Sequence, residues 1–259
     1  MYDLTDTNQL IISTHNPIFV NRTSVSSNII VENHKATPAE RIETIRKTLG
    51  VKIADNLLYS DYMIVVEGPS DKMVIERFMQ EDEQLRSMLN DNTITVKSIG
   101  GVRNLRNELY NLEQFLCDYM VILDLDEAGK NKAREAQKDL EIPNDKFRYF
   151  NLSNYRECEL EELYNPELYK NYLMETWQID ITNGKFKNKS KKWSKRVEEL
   201  AARSGQILSE EQTNDIKKKL SSMCIGKGIG ECFTTDAITL LTGICSKIKS
   251  DVSQLFNQS

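Results

Sequence analysis

The feature that most constrains this chain is the regular alternation, from Asp61 to Asn151, of short apolar runs with stretches of helical periodicity. Tyr62-Met-Ile-Val-Val66 and Tyr119-Met-Val-Ile-Leu123 are continuous apolar runs, as strands covered on both faces require. Thr93-Ile-Thr-Val-Lys-Ser98 and Lys146-Phe-Arg-Tyr-Phe-Asn151 read as two further strands. Between them, Val74, Ile75, Phe78 and Met79 share one helix face, with Ser70 as the expected cap. Val102, Leu105, Leu109, Leu112 and Leu116 line a second helix, and a charged helix is predicted over 127–140. Strand and helix in strict succession predict an α/β fold: a parallel four-stranded sheet with right-handed crossovers and helices on both faces.

The flanks read differently. Gln9–Val20 is predicted as a buried strand that ends in a polar turn, because Pro17 lacks the amide a ladder needs. A second apolar run, Asn28-Ile-Ile-Val31, follows. Thr37-Pro38 then looks like the cap and first turn of a helix over about 38–49, closed by Gly50. Beyond residue 155 the pattern is mainly helical, over about 159–174, 195–204, 210–222 and 229–248. Within it, the stretch 184–196 is strongly basic and carries Phe186 and Trp193, a composition suited to tracking phosphates and stacking on bases. A solvated loop anchored by Trp193 is the competing reading.

Charge and cysteine usage narrow the class. The formal net charge of -5 disfavours a simple nucleic-acid coat, although clustered metal-binding carboxylates lower the total without removing a local basic stripe. Five scattered cysteines with no CxxC pair exclude a disulfide framework and a cysteine-rich zinc site, and fit a reducing cytoplasm. No apolar stretch reaches the length of a membrane span, and the polar start does not resemble a signal peptide.

In an open parallel sheet, ligands gather at the carboxyl ends of the strands. The first strand ends at Glu67-Gly68 and the third at Asp124-Leu-Asp126, so both acidic groups open on the same edge. Asp71 falls in the first turn of the intervening helix. Four carboxylates meeting there repel one another unless protonated or bridged by cations, and hard oxygen donors suit Mg²⁺ or Mn²⁺. Gly68 and the Gly100-Gly101 pair leave the backbone open to a phosphate.

The run Val65-Val-Glu-Gly-Pro-Ser-Asp71, followed by Ile122-Leu-Asp-Leu-Asp126, resembles the Toprim signature of topoisomerases, primases and related nucleases. Its EGxxD form is most similar to the overcoming-lysogenization-defect (OLD) nucleases, including the nuclease subunit of the Gabija anti-phage system. Ile12-Ser-Thr-His-Asn-Pro17 resembles the switch-histidine loop, here carrying His15, of the ABC-type ATPase that precedes Toprim in those proteins, yet no GxxxxGK[ST] loop occurs. The resemblance implies residues 1–56 as the remnant of that ATPase, 57–155 as a Toprim (Rossmann-like) core, and 156–259 as a helical extension completing the nuclease domain.

It also implies DNA cleavage with two Mg²⁺ or Mn²⁺ ions, Asp124 bridging, Glu67 and Asp71 on one ion, and Asp126 with Glu161 on the other. Glu159 and Glu162 compete with Glu161 for that place. Lys227, in Ile225-Gly-Lys-Gly228, is the implied catalytic lysine. The implied partners are DNA, the upstream ATPase domain, a defence-system subunit and further copies of the chain. Two alternatives stand beside it: a haloacid-dehalogenase-like phosphatase, whose nucleophile strand also resembles Val121–Asp126, and a non-catalytic Toprim scaffold that binds a partner subunit.

Overall fold

The computed structural model of the chain describes residues 9–21, 24–32, 34–50 and 60–257. The expected boundary between residues 56 and 57 lies outside them. The central sheet has four parallel strands, β3 (Tyr62–Val66), β4 (Ile94–Ser98), β5 (Asp118–Asp124) and β6 (Phe147–Phe150), in the order β4-β3-β5-β6. The four apolar runs thus pair as the alternation predicts. β3 and β5 are central and buried on both faces, which is why their sequences lack a polar alternation.

Side-chain alternation along β3 and β5 sends neighbouring residues into two cores. Tyr62, Ile64, Val66, Met120 and Ile122 face α2 (Pro69–Glu81) and the helices of the C-terminal region. Met63, Val65, Tyr119, Val121 and Leu123 face α4 (Leu105–Gln114) and α5 (Glu127–Leu140). The C-terminal region comprises α6 (Pro166–Trp177), α7 (Trp193–Arg203), α8 (Glu210–Ser222), the single turn α9 (Ile229–Cys232) and α10 (Thr235–Asn257). Its apolar faces close the same core as α2, so sheet and helices share one continuous interior. A short helix α3 (Glu83–Asn90), capped by Asp82, leads into β4.

The connection from β3 runs outward to β4, and the next returns across it to β5. β3 and β5 therefore lie side by side with connections leaving in opposite directions, and their carboxyl ends form a topological switch point.

Three local expectations are corrected. Residues 9–20 form no strand: Leu10, Ile11 and Ile12 are exposed, and only a 3-10 turn at Pro17–Phe19 is present. The small sheet that follows, β1 (Ile29–Glu32) antiparallel to β2 (Lys35–Pro38), includes no strand from that segment. Thr37 and Pro38 belong to β2 rather than to a helix start, because an edge-strand end tolerates proline, and α1 spans only Ile42–Thr48. Ser70 does not cap α2; Gly68 takes that position, Pro69 follows, and the Asp71 carboxylate accepts the Gly68 amide at 2.7 Å. The five cysteines are free and buried. Among the described residues, no helix is long and apolar enough to cross a membrane.

Candidate metal centre

The switch point brings together carboxylates from four segments. Val66 is paired with Ile122, so Glu67 emerges beside the last residues of β5, and its Oε1 accepts the Asp124 amide at 3.0 Å. Asp71, on the first turn of α2, is turned back over the same edge by its bond to Gly68. Asp126 caps α5, its Oδ1 accepting the Gly129 amide at 2.7 Å. The fourth segment arrives from the far side. Leu125 and Cys158 exchange backbone hydrogen bonds at 2.8 and 2.9 Å, and the Leu160 amide donates to Asp124 Oδ1 at 3.0 Å. This clamp sets the 3-10 turn Leu160–Leu163, with Glu159 before it, against the strand ends.

Two glycine positions shape the pocket floor. A Cβ on Gly129 would stand 2.8 Å from the Asp124 carbonyl oxygen, so the close approach of α5 to β5 needs a residue without one. Gly100 and Gly101 hold φ of 68° and 110°, and the Gly101 amide donates to the Glu67 carbonyl at 2.9 Å.

The three neighbouring glutamates have distinct partners. Glu159 is saturated: Ser194 donates its amide at 2.7 Å and its hydroxyl at 3.1 Å, and Lys217 Nζ lies at 3.0 Å. It thereby caps α7, whose own N-cap, Lys192, supplies no side-chain acceptor. Glu162 pairs with buried Arg196, which also donates to the Phe186 carbonyl. Glu161 is buried, and its Oε2, although 3.1 Å from Lys217 Nζ, receives no directed hydrogen bond.

The electrostatics follow from this crowding. Burial raises the pKa of Asp71 to about 7, with Glu161 and Glu67 adding to the effect against the Gly68 amide and Lys217. Burial also raises Asp124 well above the usual carboxylate range, reinforced by Asp71, Glu67 and Glu161. Glu67 is raised by burial and by Asp126, and Glu161 by burial and by Glu159. For Glu159, burial is outweighed by Lys217, the Ser194 amide and Lys192, which hold its carboxyl below the ordinary value. Burial of Lys217 is likewise outweighed, by Glu161, Glu159 and Asp124, so its ammonium is firmly protonated.

Sequence reasoning missed Lys217. It lies on α8 between Thr213 and Ser221, each four residues away and each buried, so a lysine in a buried stripe was the available signal. Lys227, the lysine implied by resemblance, is exposed; Arg77 binds its carbonyl and that of Cys224, and no ion pair joins its side chain to the carboxylates among the described residues. The basic stretch is also corrected in part. Phe186 and Trp193 are buried, Trp193 donating to Tyr169 Oη at 3.2 Å, so neither ring is free to stack on a base. Apolar packing outcompetes exposure for both. Lys187 and Lys189 remain exposed, while Lys192 points at the carboxylates, 3.5 Å from Asp126 and 3.6 Å from Glu159.

The donor set fits a hard divalent cation. Glu67, Asp71 and Asp124 each commit one oxygen to a backbone amide and, among the described residues, keep the other clear of directed donors, while Glu161 is buried against Lys217. Among the described residues, the cationic groups paired with these six carboxylates, counting Glu159 and Asp126, are the ammonium groups of Lys217 and Lys192. As the side chains stand, no three metal-binding groups among the described residues share one metal-sized position. Rotation of the uncommitted oxygens is what capture of an ion requires.

Residues 58–126 match the family model described as overcoming lysogenization defect protein-like, TOPRIM domain. Two structures of the C-terminal region of the Xanthomonas campestris pv. campestris OLD protein are similar to the chain. The one phased with mercury has 16% identity and a TM-score of 0.38, covering 75% of this chain and 99% of that one. The one phased with iodine has 15% identity and a TM-score of 0.38, covering 75% and 98%. No curated protein matches. The match begins before β3 and ends on Asp126, two residues past β5, so the segment 58–126 of this α/β chain is similar to OLD-like Toprim domains.

Proposed function

We propose that the chain is a divalent-metal-dependent nuclease that hydrolyses DNA phosphodiester bonds, and that it serves in bacterial anti-phage defence. The observation that carries the chemistry is the convergence of Glu67, Asp71, Asp124 and Glu161 at one switch point, with Lys217 among them. The defence role rests on the OLD resemblance alone, as do the upstream ATPase domain, a partner subunit and assembly into homo-oligomers.

Divalent cations held there, Mg²⁺ or Mn²⁺, would lower the pKa of water and neutralise charge on phosphate oxygens. Asp124, at the centre of the cluster, is the residue suited to bridging. Its electrostatic neighbours are Asp71, Glu67 and Glu161, whereas Asp126 acts on Glu67. This grouping supports reading Glu161 with the inner set rather than beside Asp126. The backbone amides of Asp124, Gly68 and Leu160 orient the carboxylates before any ligand arrives, which limits reorganisation. Lys217 takes the part that the resemblance assigned to Lys227: a fixed positive charge facing the reacting phosphate. Glu159 positions it.

Purified protein should nick or linearise supercoiled plasmid with Mg²⁺ or Mn²⁺ and not with EDTA. Asp124→Ala should lower the rate by about 10³-fold, the scale of several kcal/mol of charge stabilisation, with its circular dichroism unchanged. Equal cleavage by that variant would overturn the assignment. The second reading is a non-catalytic scaffold, in keeping with side chains that, among the described residues, form no ready three-ligand position. Calorimetric titration with Mn²⁺ separates the two, since a scaffold takes up no ion.

A further inference from the structure

We infer that Lys192 is a built-in counter-cation that occupies the outer end of the carboxylate cluster and competes there with a divalent ion. The inference rests on the metal-centre reading above and goes beyond it in assigning a residue that controls ion loading.

Asp126 commits Oδ1 to the Gly129 amide at 2.7 Å, which leaves Oδ2 as the oxygen it has to offer. Lys192 Nζ stands 3.5 Å from that oxygen and 3.6 Å from Glu159 Oε1. Lys217 has a different place: it sits 3.0 and 3.1 Å from Glu159 and Glu161, among the inner carboxylates. The two ammonium groups therefore divide the cluster, one inside and one at the Asp126 end.

The backbone beneath Lys192 is pinned. It immediately precedes α7, whose start Glu159 holds through the Ser194 amide and hydroxyl. Its side chain is 37% exposed, so the ammonium can leave for water without disturbing the helix. A dication on Asp126 Oδ2 and an ammonium at 3.5 Å from the same oxygen repel each other, and one must yield. Loading an ion at this end thus costs the Lys192–Asp126 contact, whereas Lys217, more deeply buried and paired with both Glu159 and Glu161, is not free to leave the inner carboxylates.

The test is a Mn²⁺ titration of the intact protein, followed by the electron paramagnetic resonance signal of the free ion. Lys192→Met should tighten the weaker Mn²⁺ by about fivefold, the scale of a half-exposed ion pair, or admit a second ion where the parent takes one. Lys192→Arg, which keeps the charge, should behave as the parent does. Lys195→Met removes the same charge from an exposed lysine paired with Glu198, and should leave both affinities unchanged. Weaker or equal Mn²⁺ binding by Lys192→Met overturns the inference, as does an equal gain from Lys195→Met. A parent protein that takes up no Mn²⁺ overturns the metal-centre reading itself, a result distinct from binding that is indifferent to Lys192.

Discussion

The acids at the strand ends and the acids of the 159–162 turn reach the same place by different routes. Glu67 and Asp124 end adjacent parallel strands, so the ladder alone sets their separation and direction. Glu159, Glu161 and Glu162 lie within four residues of one another, yet each meets a different fate: α7 and two lysines, the inner carboxylates with Lys217, and a buried arginine. A strand end inherits its role from a regular lattice. A 3-10 turn distributes its side chains to whatever the surrounding helices present.

The sharpest way to break that comparison is to exchange the fates of neighbours. Glu162→Ala should destabilise the protein by about 3–5 kcal/mol in urea unfolding, because it strands the buried Arg196 guanidinium. Glu161→Gln should leave unfolding unchanged or shift it towards stability, while weakening Mn²⁺ binding. If Glu161→Gln proved the more destabilising, the division of labour within the turn would be wrong.

A smaller effect sharpens the strand-end side. Gly129→Ala should cost about 1–3 kcal/mol, since its methyl meets the Asp124 carbonyl oxygen, a backbone atom that cannot swing aside. Urea midpoints of the metal-free protein check this. Wild-type stability in the variant would mean that α5 shifts freely against β5.

A further test is the pH dependence of the metal-free protein. Asp71 binds its proton with a pKa of about 7 in the fold against 3.8 for an ordinary carboxyl, so between those values the folded state holds more protons than the unfolded one. Its contribution therefore declines as pH rises across that window, and Asp124, Glu67 and Glu161 act in the same direction. Thermal unfolding at pH 5 and pH 8 should show the loss, and Mn²⁺ at pH 8 should reverse it. A stability that rises steadily with pH would contradict the crowded-carboxylate account.

Much of the fold was legible before any coordinates. Apolar runs identified all four central strands, and periodicity placed α2, α4, α5 and α8 closely, because burial on two faces or one leaves a local imprint. The flanks were less legible for the same reason. The apolar stretch 9–20 has a strand's composition, but composition does not supply a partner, and the stretch pairs with neither β1 nor β2. Of the candidate site, Glu67, Asp71 and Asp124 could be read from strand-end position; the choice among Glu159, Glu161 and Glu162 could not.

By itself the sequence determined the parallel sheet and which edge of it is acidic, since hydrophobic pattern and chain order act over short spans. Only the tertiary structure decided that Lys217 rather than Lys227 meets the carboxylates, that Glu161 is buried among them, and that Phe186 and Trp193 are core. Those outcomes depend on how α7 and α8 pack across the sheet end, and such packing is settled by competition for partners that no local pattern records.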